Sequence, residues 1–279
     1  MKNRRWIVLF LAAVGILLLA EAVIYMSYSN KEKGPFTITF VVDSEEIQDY
    51  ENMKAGAVSA ANDSDCIIDF VSSSREDKVD SDEVVTVENN CLSYSKGKLE
   101  VDKEKMVSEL AERVIAKGNS DRILLVSSGD SEKLQEVIDL FKASFEDAGK
   151  YMEYRPLSTD EKKLKQSMYN LEQSGLFDCF IALDKESIET ACEVNNRTNR
   201  FVEIYGLDNS SEAVYYLDNG GLEALAYEDE YSMGYIAVRQ LLKDKDINKV
   251  SENRTFYYIA DRQSMYSAEL EKVLFPFVK

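Results

Sequence analysis

The sequence predicts an α/β fold with parallel sheets, preceded by one transmembrane helix at the N-terminus. A long apolar segment stands near the start of the chain, and a regular alternation of strand and helix patterns fills the remainder. The 279 residues are 45% hydrophobic and 30% charged. This composition is enough to bury one large α/β core or two lobes, and it excludes a disordered chain, a collagen-like repeat and a minimal disulfide scaffold.

The apolar segment covers residues 6–26 and is interrupted only by Glu21. Its 21 residues span about 31 Å as an α-helix, which matches a hydrocarbon core of about 30 Å. Lys2, Arg4 and Arg5 precede it, so the positive-inside rule places the N-terminus in the cytoplasm and everything after the segment outside. We therefore predict a single-pass protein of the bacterial cell membrane with an extracytoplasmic C-terminal domain.

Two other interpretations of this segment stay open. Residues 20–22, Ala-Glu-Ala, have the small-x-small form of a signal-peptidase site, and a buried core helix could have a similar composition. No cysteine occurs in or just after the segment, which excludes lipid anchoring through an N-terminal cysteine. We favour an uncleaved anchor, with residues 1–34 forming a cytoplasmic tip, the transmembrane helix and a short spacer.

Beyond residue 36, the predicted strands and helices alternate. The first strand, 37–42, is a run of β-branched and apolar residues, and the helix after it, 50–61, places Met53 and Ala57 on one face. Strand 66–71 completes a βαβ unit. The further strands are 84–87, 122–126, 151–154, 177–183, 201–205, 222–227 and 255–259, and the further helices are 103–117, 131–148, 160–174, 185–195, 211–217 and 231–242.

The alternation also predicts where a ligand would lie. Strands that alternate with helices form parallel sheets that are covered by helices on both faces. Ligands of such folds bind beyond the carboxyl ends of the strands, where the strand order reverses. The side chains that follow the strands are therefore the first candidates for a site.

Charge and composition exclude several classes of function. The chain has 33 Lys and Arg against 51 Asp and Glu, and its net charge of −18 repels phosphate backbones and anionic lipid headgroups. It contains no histidine, which removes Ser-His-Asp and Cys-His catalysis and histidine-ligated zinc. We predict no nucleic-acid partner, no metal, no cofactor and no catalytic residue.

The four cysteines are too few for a disulfide-dense module and lack the C-x-x-C spacing of structural zinc. Cys179 falls in a predicted strand and Cys192 in the helix that returns over it. Sheet and helix axes lie about 10 Å apart, beyond the roughly 7 Å Cα limit for a disulfide. We therefore interpret both as core residues, whereas the sequence gives no geometry for Cys66 and Cys91.

Several runs together resemble a known family. Residues 202–208 (VEIYGLD), 221–226 (GLEALA) and 231–238 (YSMGYIAV) stand in the order and spacing of the type 1 periplasmic binding proteins, the ribose-binding and LacI-like sugar-sensing fold. Residues 177–184 (FDCFIALD) before a helix and 84–89 (VVTVEN) at a strand end are similar to further motifs of that family. The resemblance covers most of residues 37–260.

The resemblance implies two α/β lobes that are joined by three crossings and hold a small solute without acting on it chemically. It places residues 35–100 and 229–246 in the first lobe, so that the helix 231–242 returns there, and residues 101–228 and 247–279 in the second. One departure stands out, because only a dozen residues separate Val71 from Val84, where the family has a helix, a strand and another helix. We expect a shortened first lobe, with an open sheet edge or half a cleft.

The resemblance also implies ligand-binding residues. Tyr50 stands where the family places an aromatic ring that stacks on the ligand; otherwise it is a surface tyrosine at a helix start. Glu88 matches the acid at the end of the fourth family strand; otherwise it is a solvated loop residue. Glu228 matches a polar cleft residue at a crossing between the lobes.

Asp208 lies in the Gly-x-Asp motif that begins at Gly206 and is the best single candidate, although an aspartate before Asn-Ser-Ser could also cap a helix. Gln135 and Asn89 stand where the family commonly has arginines, and Leu183 replaces a common asparagine. These departures weaken the case for an ordinary pentose or hexose.

Acidic residues that lie together in one cleft would restrict the charge of the ligand. If Glu88, Asp208 and Glu228 lie in one cleft, two carboxylates about 6 Å apart at an effective dielectric near 20 repel each other by roughly 3 kcal/mol. Such a cleft needs a cation or a proton. We therefore expect a polyol or amino-bearing solute rather than a phosphate or a carboxylate.

The predicted function is that of a membrane-anchored, non-enzymatic solute-binding protein that captures or senses a small sugar-like or polyol ligand. Hinge closure on the solute would present the closed form to an ABC-transporter permease or a sensor histidine kinase. The alternative is a degenerate copy of the fold that binds a protein and no solute. An anchored enzyme is disfavoured because no nucleophile-base pair is visible, and a LacI-type DNA regulator is excluded because a membrane span replaces its helix-turn-helix.

Overall fold

The fold was obtained as a computed structural model of the whole chain. It describes residues 35–42, 50–62, 64, 66–74, 79–118, 120–198, 201–242, 254–268 and 270–275.

The first sheet has five strands in the order β2-β1-β3-β4-β5. β2, β1 and β3 are parallel, whereas β4 and β5 add to β3 as antiparallel strands. Helix α1 packs beside this sheet. These elements are β1 (Phe36–Val42), α1 (Glu51–Asn62), β2 (Cys66–Ser72), β3 (Glu83–Glu88), β4 (Cys91–Tyr94) and β5 (Gly97–Leu99).

The prediction of parallel sheets was wrong for this hairpin. Asn89 and Asn90 have φ angles of 50° and 58° and form the two-residue loop between β3 and β4. Two consecutive left-handed residues match the twist of antiparallel strands, and asparagine tolerates this conformation better than most residues. The chain therefore reverses after Glu88, which pairs with Cys91, and the sheet gains two strands that the sequence patterns did not indicate.

The second sheet has six strands in the order β11-β10-β9-β8-β6-β7. All neighbouring pairs are parallel except β10 and β11, which are antiparallel, so the prediction of a parallel sheet was also wrong for its last strand. Its elements are α2 (Lys103–Ala116), β6 (Arg122–Ser128), α3 (Gln135–Asp147), β7 (Tyr151–Leu157), α4 (Glu161–Ser174), β8 (Cys179–Ala182), α5 (Lys185–Asn195), β9 (Glu203–Leu207), α6 (Ser211–Asp218), β10 (Ala224–Glu228), α7 (Glu230–Leu241), β11 (Tyr257–Ala260) and α8 (Leu270–Leu274).

Alternate side chains of the second sheet bury against helices on its two faces. On β6, Ile123 and Leu125 join the apolar cluster that contains residues of α2 and α3, whereas Leu124 and Val126 join the cluster that contains residues of α4, α5, α6 and α8. All four side chains are completely buried. This confirms the predicted covering of the sheet by helices on both faces, since a strand exposed on one face would alternate apolar with polar residues.

Helix α7 follows β10 of the second sheet but packs against α1 of the first. The two helices touch backbone to backbone at their glycines. A Cβ atom on Gly56 would lie 1.9 Å from the carbonyl oxygen of Tyr231, and one on Gly234 would lie 2.1 Å from that of Met53. We call the first sheet with α1 and α7 the first lobe, and the second sheet with its other helices the second lobe.

The four cysteines, which all lie in the described ranges, form no disulfide, and Cys179 and Cys192 are buried as predicted. Burial raises the pKa of the Cys192 thiol to about 12. In the ranges that the structure describes, none of the helices has both the length and the apolar character needed to cross a membrane. The predicted span, residues 6–26, lies outside those ranges and stays a prediction.

Candidate functional site

A cavity of about 760 Å³ lies between the two lobes, and we call it the interlobe cavity. Several strands of both sheets end at it. The start of α1, the second residue of the β3–β4 hairpin loop and the start of α7 line it from the first lobe. The segments after β8 and β9 and the end of β10 line it from the second lobe. Its lining residues are Glu51, Asn52, Asn90, Lys185, Leu207, Asp208, Asn209, Ser210, Ser211, Glu212, Glu228 and Glu230.

This position follows from the topology of the sheets. β1 and β3 are parallel neighbours in the first sheet, and β8, β9 and β10 are parallel neighbours in the second. The carboxyl ends of parallel strands meet at one edge of their sheet, which is where α/β folds bind ligands. The interlobe cavity is thus enclosed by such edges from both lobes.

Asp208 is held in a tight turn after β9. Its Oδ2 accepts a hydrogen bond from the backbone N–H of Ser210 at 2.9 Å, and Ser210 in turn caps α6 by accepting from the N–H of Ala213 at 3.2 Å. The helix cap is therefore Ser210 and not Asp208. Burial raises the pKa of Asp208, and its hydrogen bonds with Ser210 lower it by less.

Glu228 and Glu230, which we call the carboxylate pair, are bridged by Asn90. The Asn90 amide Nδ2 donates to Glu228 Oε2 at 2.5 Å and to Glu230 Oε1 at 3.1 Å. Asn90 belongs to the first lobe, whereas Glu228 ends β10 of the second and Glu230 begins the returning helix α7. Asn209 supports the pair by accepting from the backbone N–H of Glu228 at 2.8 Å. This bridge joins the lobes at the lining of the interlobe cavity.

The environment of the carboxylate pair favours protonated acids. Glu230 is only 6% exposed. Burial, with a further contribution from the charge of Glu228, raises its pKa to about 8. Burial also raises the pKa of Glu228, and the hydrogen bond from Asn90 opposes this. Both shifts arise because burial removes the hydration of an ionised carboxylate, and the charge of Lys103, which lowers the pKa of Glu228, offsets only part of that loss.

A second cavity of about 800 Å³ lies beside the β4–β5 hairpin and shares Asn90 with the interlobe cavity. We prefer the interlobe cavity as the candidate site because the second one does not reach the segments that follow β8, β9 and β10. The second cavity is lined by Thr86, Glu88, Asn89, Asn90, Cys91, Ser93, Lys98, Glu100, Val101, Asp102, Lys103, Glu104, Glu136, Leu140 and Arg254.

The six residues proposed from the sequence divide into three groups. Asp208 and Glu228 line the interlobe cavity. Glu88 and Asn89 line the second cavity instead. Tyr50, which is 5% exposed and packs in the apolar core, and Gln135, which is exposed on α3 and donates from Nε2 to Asp139 at 2.9 Å, line neither of these cavities.

Sequence reasoning missed the residues that complete the cavity. The most informative of these are Asn90 and Glu230, and the paired asparagines at 89 and 90 were a usable signal for a hairpin loop. Asn52 and Asn209 add amide groups. In the portion of the chain that the structure describes, no three His, Cys, Asp or Glu side chains converge to hold a metal ion.

No family model and no curated protein matches the sequence. Solved structures do match the fold. A carbohydrate transporter solute-binding protein from Agrobacterium radiobacter in complex with D-arabinose superposes with a TM-score of 0.64 at 13% identity, over 87% of this chain and 100% of that one. An ABC transporter solute-binding protein from Agrobacterium vitis with bound D-fucose gives 0.64 at 14% identity, over 86% and 100% of the two chains.

A carbohydrate transporter from Acidothermus cellulolyticus in complex with myo-inositol gives a TM-score of 0.63 at 13% identity, over 86% of this chain and 98% of that one. At such low identity the likeness establishes the fold alone. The chain has the type 1 periplasmic-binding-protein fold that the resemblance predicted.

Proposed function

We propose that the chain is a non-enzymatic extracytoplasmic solute-binding protein that captures or senses a small sugar-like or polyol ligand in the interlobe cavity. The observation that carries this proposal is the position of the cavity, between the strand ends of two lobes. The same fold is seen in proteins solved with D-arabinose, D-fucose and myo-inositol.

The lining of the cavity suits a polyhydroxylated solute. Carboxylates such as Asp208 accept hydrogen bonds from hydroxyl groups, and amides such as Asn52 both donate and accept. A hydrogen bond to a charged group contributes about 1.5 to 3 kcal/mol. The volume of about 760 Å³ lies within the usual range for small-molecule sites and leaves room for one sugar-sized solute with water.

Hinge closure would convert binding into a signal. A solute that contacts Asn52 from the first lobe and Asp208 from the second binds the closed arrangement of the lobes better than an open one. The closed form would then be presented to an ABC-transporter permease or a sensor histidine kinase. An anchor at residues 6–26, with the N-terminus in the cytoplasm, would keep the binding domain close to such a membrane partner.

A thermal-shift screen of the purified full-length chain tests this proposal. Pentoses, hexoses, inositols and linear polyols are compared with sugar phosphates and sugar acids. A solute present at a hundred times its Kd stabilises the folded state by about 2.7 kcal/mol, so we expect at least one neutral or amino-bearing solute to raise the Tm by about 5 °C or more.

Sugar phosphates and sugar acids serve as the negative controls, and we expect no shift with them, because the acids of the cavity repel anions. If none of the sugars or polyols shifts the Tm, the proposal fails. The alternative, a protein-interaction module that binds no solute, would then account for the fold.

A further inference from the structure

The charges that line the interlobe cavity are unbalanced. Five carboxylates line it, against the single ammonium of Lys185 among the lining residues. The Nζ atom of Lys185 lies 2.9 Å from Glu212 Oε1, so this lysine already has an acidic partner. Among the described lining residues, none but Lys185 carries a positive charge. The other four carboxylates, on Glu51, Asp208, Glu228 and Glu230, therefore have no counter-charge within the lining.

Two cations near the carboxylate pair are paired with other acids. Lys103 Nζ lies 3.1 Å from Glu136 Oε2, on the side of the second cavity. Arg254 forms an ion pair with Asp229. Asp229 is completely buried and stands between Glu228 and Glu230 in the sequence. The charge of Lys103 lowers the pKa of Glu228 but does not reverse the rise caused by burial, so the carboxylate pair is only partly compensated.

Asn90 satisfies the hydrogen bonding of the carboxylate pair without supplying charge. Its single amide nitrogen reaches an oxygen of each acid, so those two oxygens lie within about 6 Å of each other, as the two hydrogen-bond lengths require. A neutral amide donates two hydrogen bonds but supplies no positive charge to either carboxylate. The pKa values of Glu228 and Glu230 are both raised, which is the direction expected of buried acids whose charge is not fully compensated.

We infer that the solute of the interlobe cavity is a cation, of the class of amino sugars and aminated polyols, and that its ammonium group binds beside the carboxylate pair. This inference rests on the proposed function and specifies its ligand. An ammonium offers three donors and a full charge, so it satisfies both acids better than a hydroxyl group in the same position. The hydroxyl groups of the same solute would bind Asp208, Asn52 and Asn209.

Isothermal titration of the full-length chain with matched sugars tests the inference. The probes are D-glucosamine against D-glucose, D-galactosamine against D-galactose, and D-mannosamine against D-mannose, at pH 6.5. We expect the amine to bind at least tenfold tighter than its hydroxyl counterpart in one or more pairs. Glu230→Gln, which keeps the shape of the side chain but cannot ionise beside the ammonium, is expected to reduce that ratio to below threefold.

Glu132→Gln is the matched control, because Glu132 is exposed and lies outside both cavities. It removes the same charge and is expected to leave the ratio unchanged, while melting curves check that both variants fold. Equal or tighter binding of the neutral sugar in every pair that binds would overturn the inference and leave the proposed function standing. Binding of none of the six sugars would overturn the inference but not the proposed function, which also admits the pentoses, inositols and linear polyols of the thermal-shift screen.

Discussion

Gly234→Ala is expected to lower the free energy of unfolding by about 3 kcal/mol. The new Cβ atom would stand 2.1 Å from the carbonyl oxygen of Met53 and 3.1 Å from the backbone nitrogen of Ala57. These are backbone atoms that cannot rotate away, so α1 and α7 must separate and their buried side chains must lose contact. The gain in helix propensity of alanine over glycine, about 1 kcal/mol, offsets only part of this loss. Urea unfolding at constant pH measures the change in the free energy of unfolding.

Gly149→Ala is the control for glycine replacement as such. A Cβ atom there meets nothing within 4 Å, and only its left-handed φ of 68° opposes the substitution. We expect a loss of about 1 kcal/mol at that position. If Gly234→Ala costs no more than Gly149→Ala, the close helix contact that returns α7 to the first lobe is not as described.

Stability is expected to fall as pH rises from about 5 to 8, and Glu230→Gln is expected to remove much of that fall. The folded chain holds a proton on Glu230 up to a pKa of about 8, whereas in the unfolded chain the group titrates near 4.5. Unfolding between these values releases a proton, so the contribution of Glu230 is complete below pH 4.5 and is lost above pH 8. The full shift corresponds to a change on the order of 5 kcal/mol.

Urea unfolding at pH 5.5 and at pH 8 measures this difference. Glutamine at position 230 stays neutral at both values, so the variant should show a markedly smaller change in unfolding free energy between them. The residual change comes from the other acids whose pKa values are raised, which are Asp184, Glu189, Asp208 and Glu228. Glu132→Gln should show the same change in unfolding free energy with pH as the unmodified chain. If Glu230→Gln also shows that same change, Glu230 is not buried as described.

The sequence predicts the main elements because their periodicities are strong. Helix 185–195 is observed at the predicted residues, since Asp184 and Ser187 form a capping box at its start. The antiparallel strands were missed for two different reasons. Strands β4 and β5 are only four and three residues long and carry no apolar run. The direction of β11 depends on the route of the chain before it, which no local pattern encodes.

The candidate site was predictable only in part. Asp208 and Glu228 were found because they follow apolar strands, and strand ends are recognisable in sequence. Glu88 also ends a strand, but side chains alternate along β3, and Val85 and Val87 occupy the buried face, so Glu88 points away from it. In the sequence, Glu230 cannot be distinguished from an ordinary acidic residue in the first turn of a helix. Asn90 is far from it in sequence and contacts it only in the folded chain.

A titration of Asp208→Asn with the solute that gives the largest shift in the thermal screen tests most directly whether the solute binds in the interlobe cavity. Asparagine keeps an oxygen to accept the hydrogen bond from Ser210, so the turn after β9 is retained while the charge facing the cavity is lost. We expect Asp208→Asn to bind the solute about tenfold more weakly than the unmodified chain, and Glu132→Gln to bind it with unchanged affinity. Unchanged affinity in Asp208→Asn would contradict this expectation, because the solute would then bind outside the interlobe cavity.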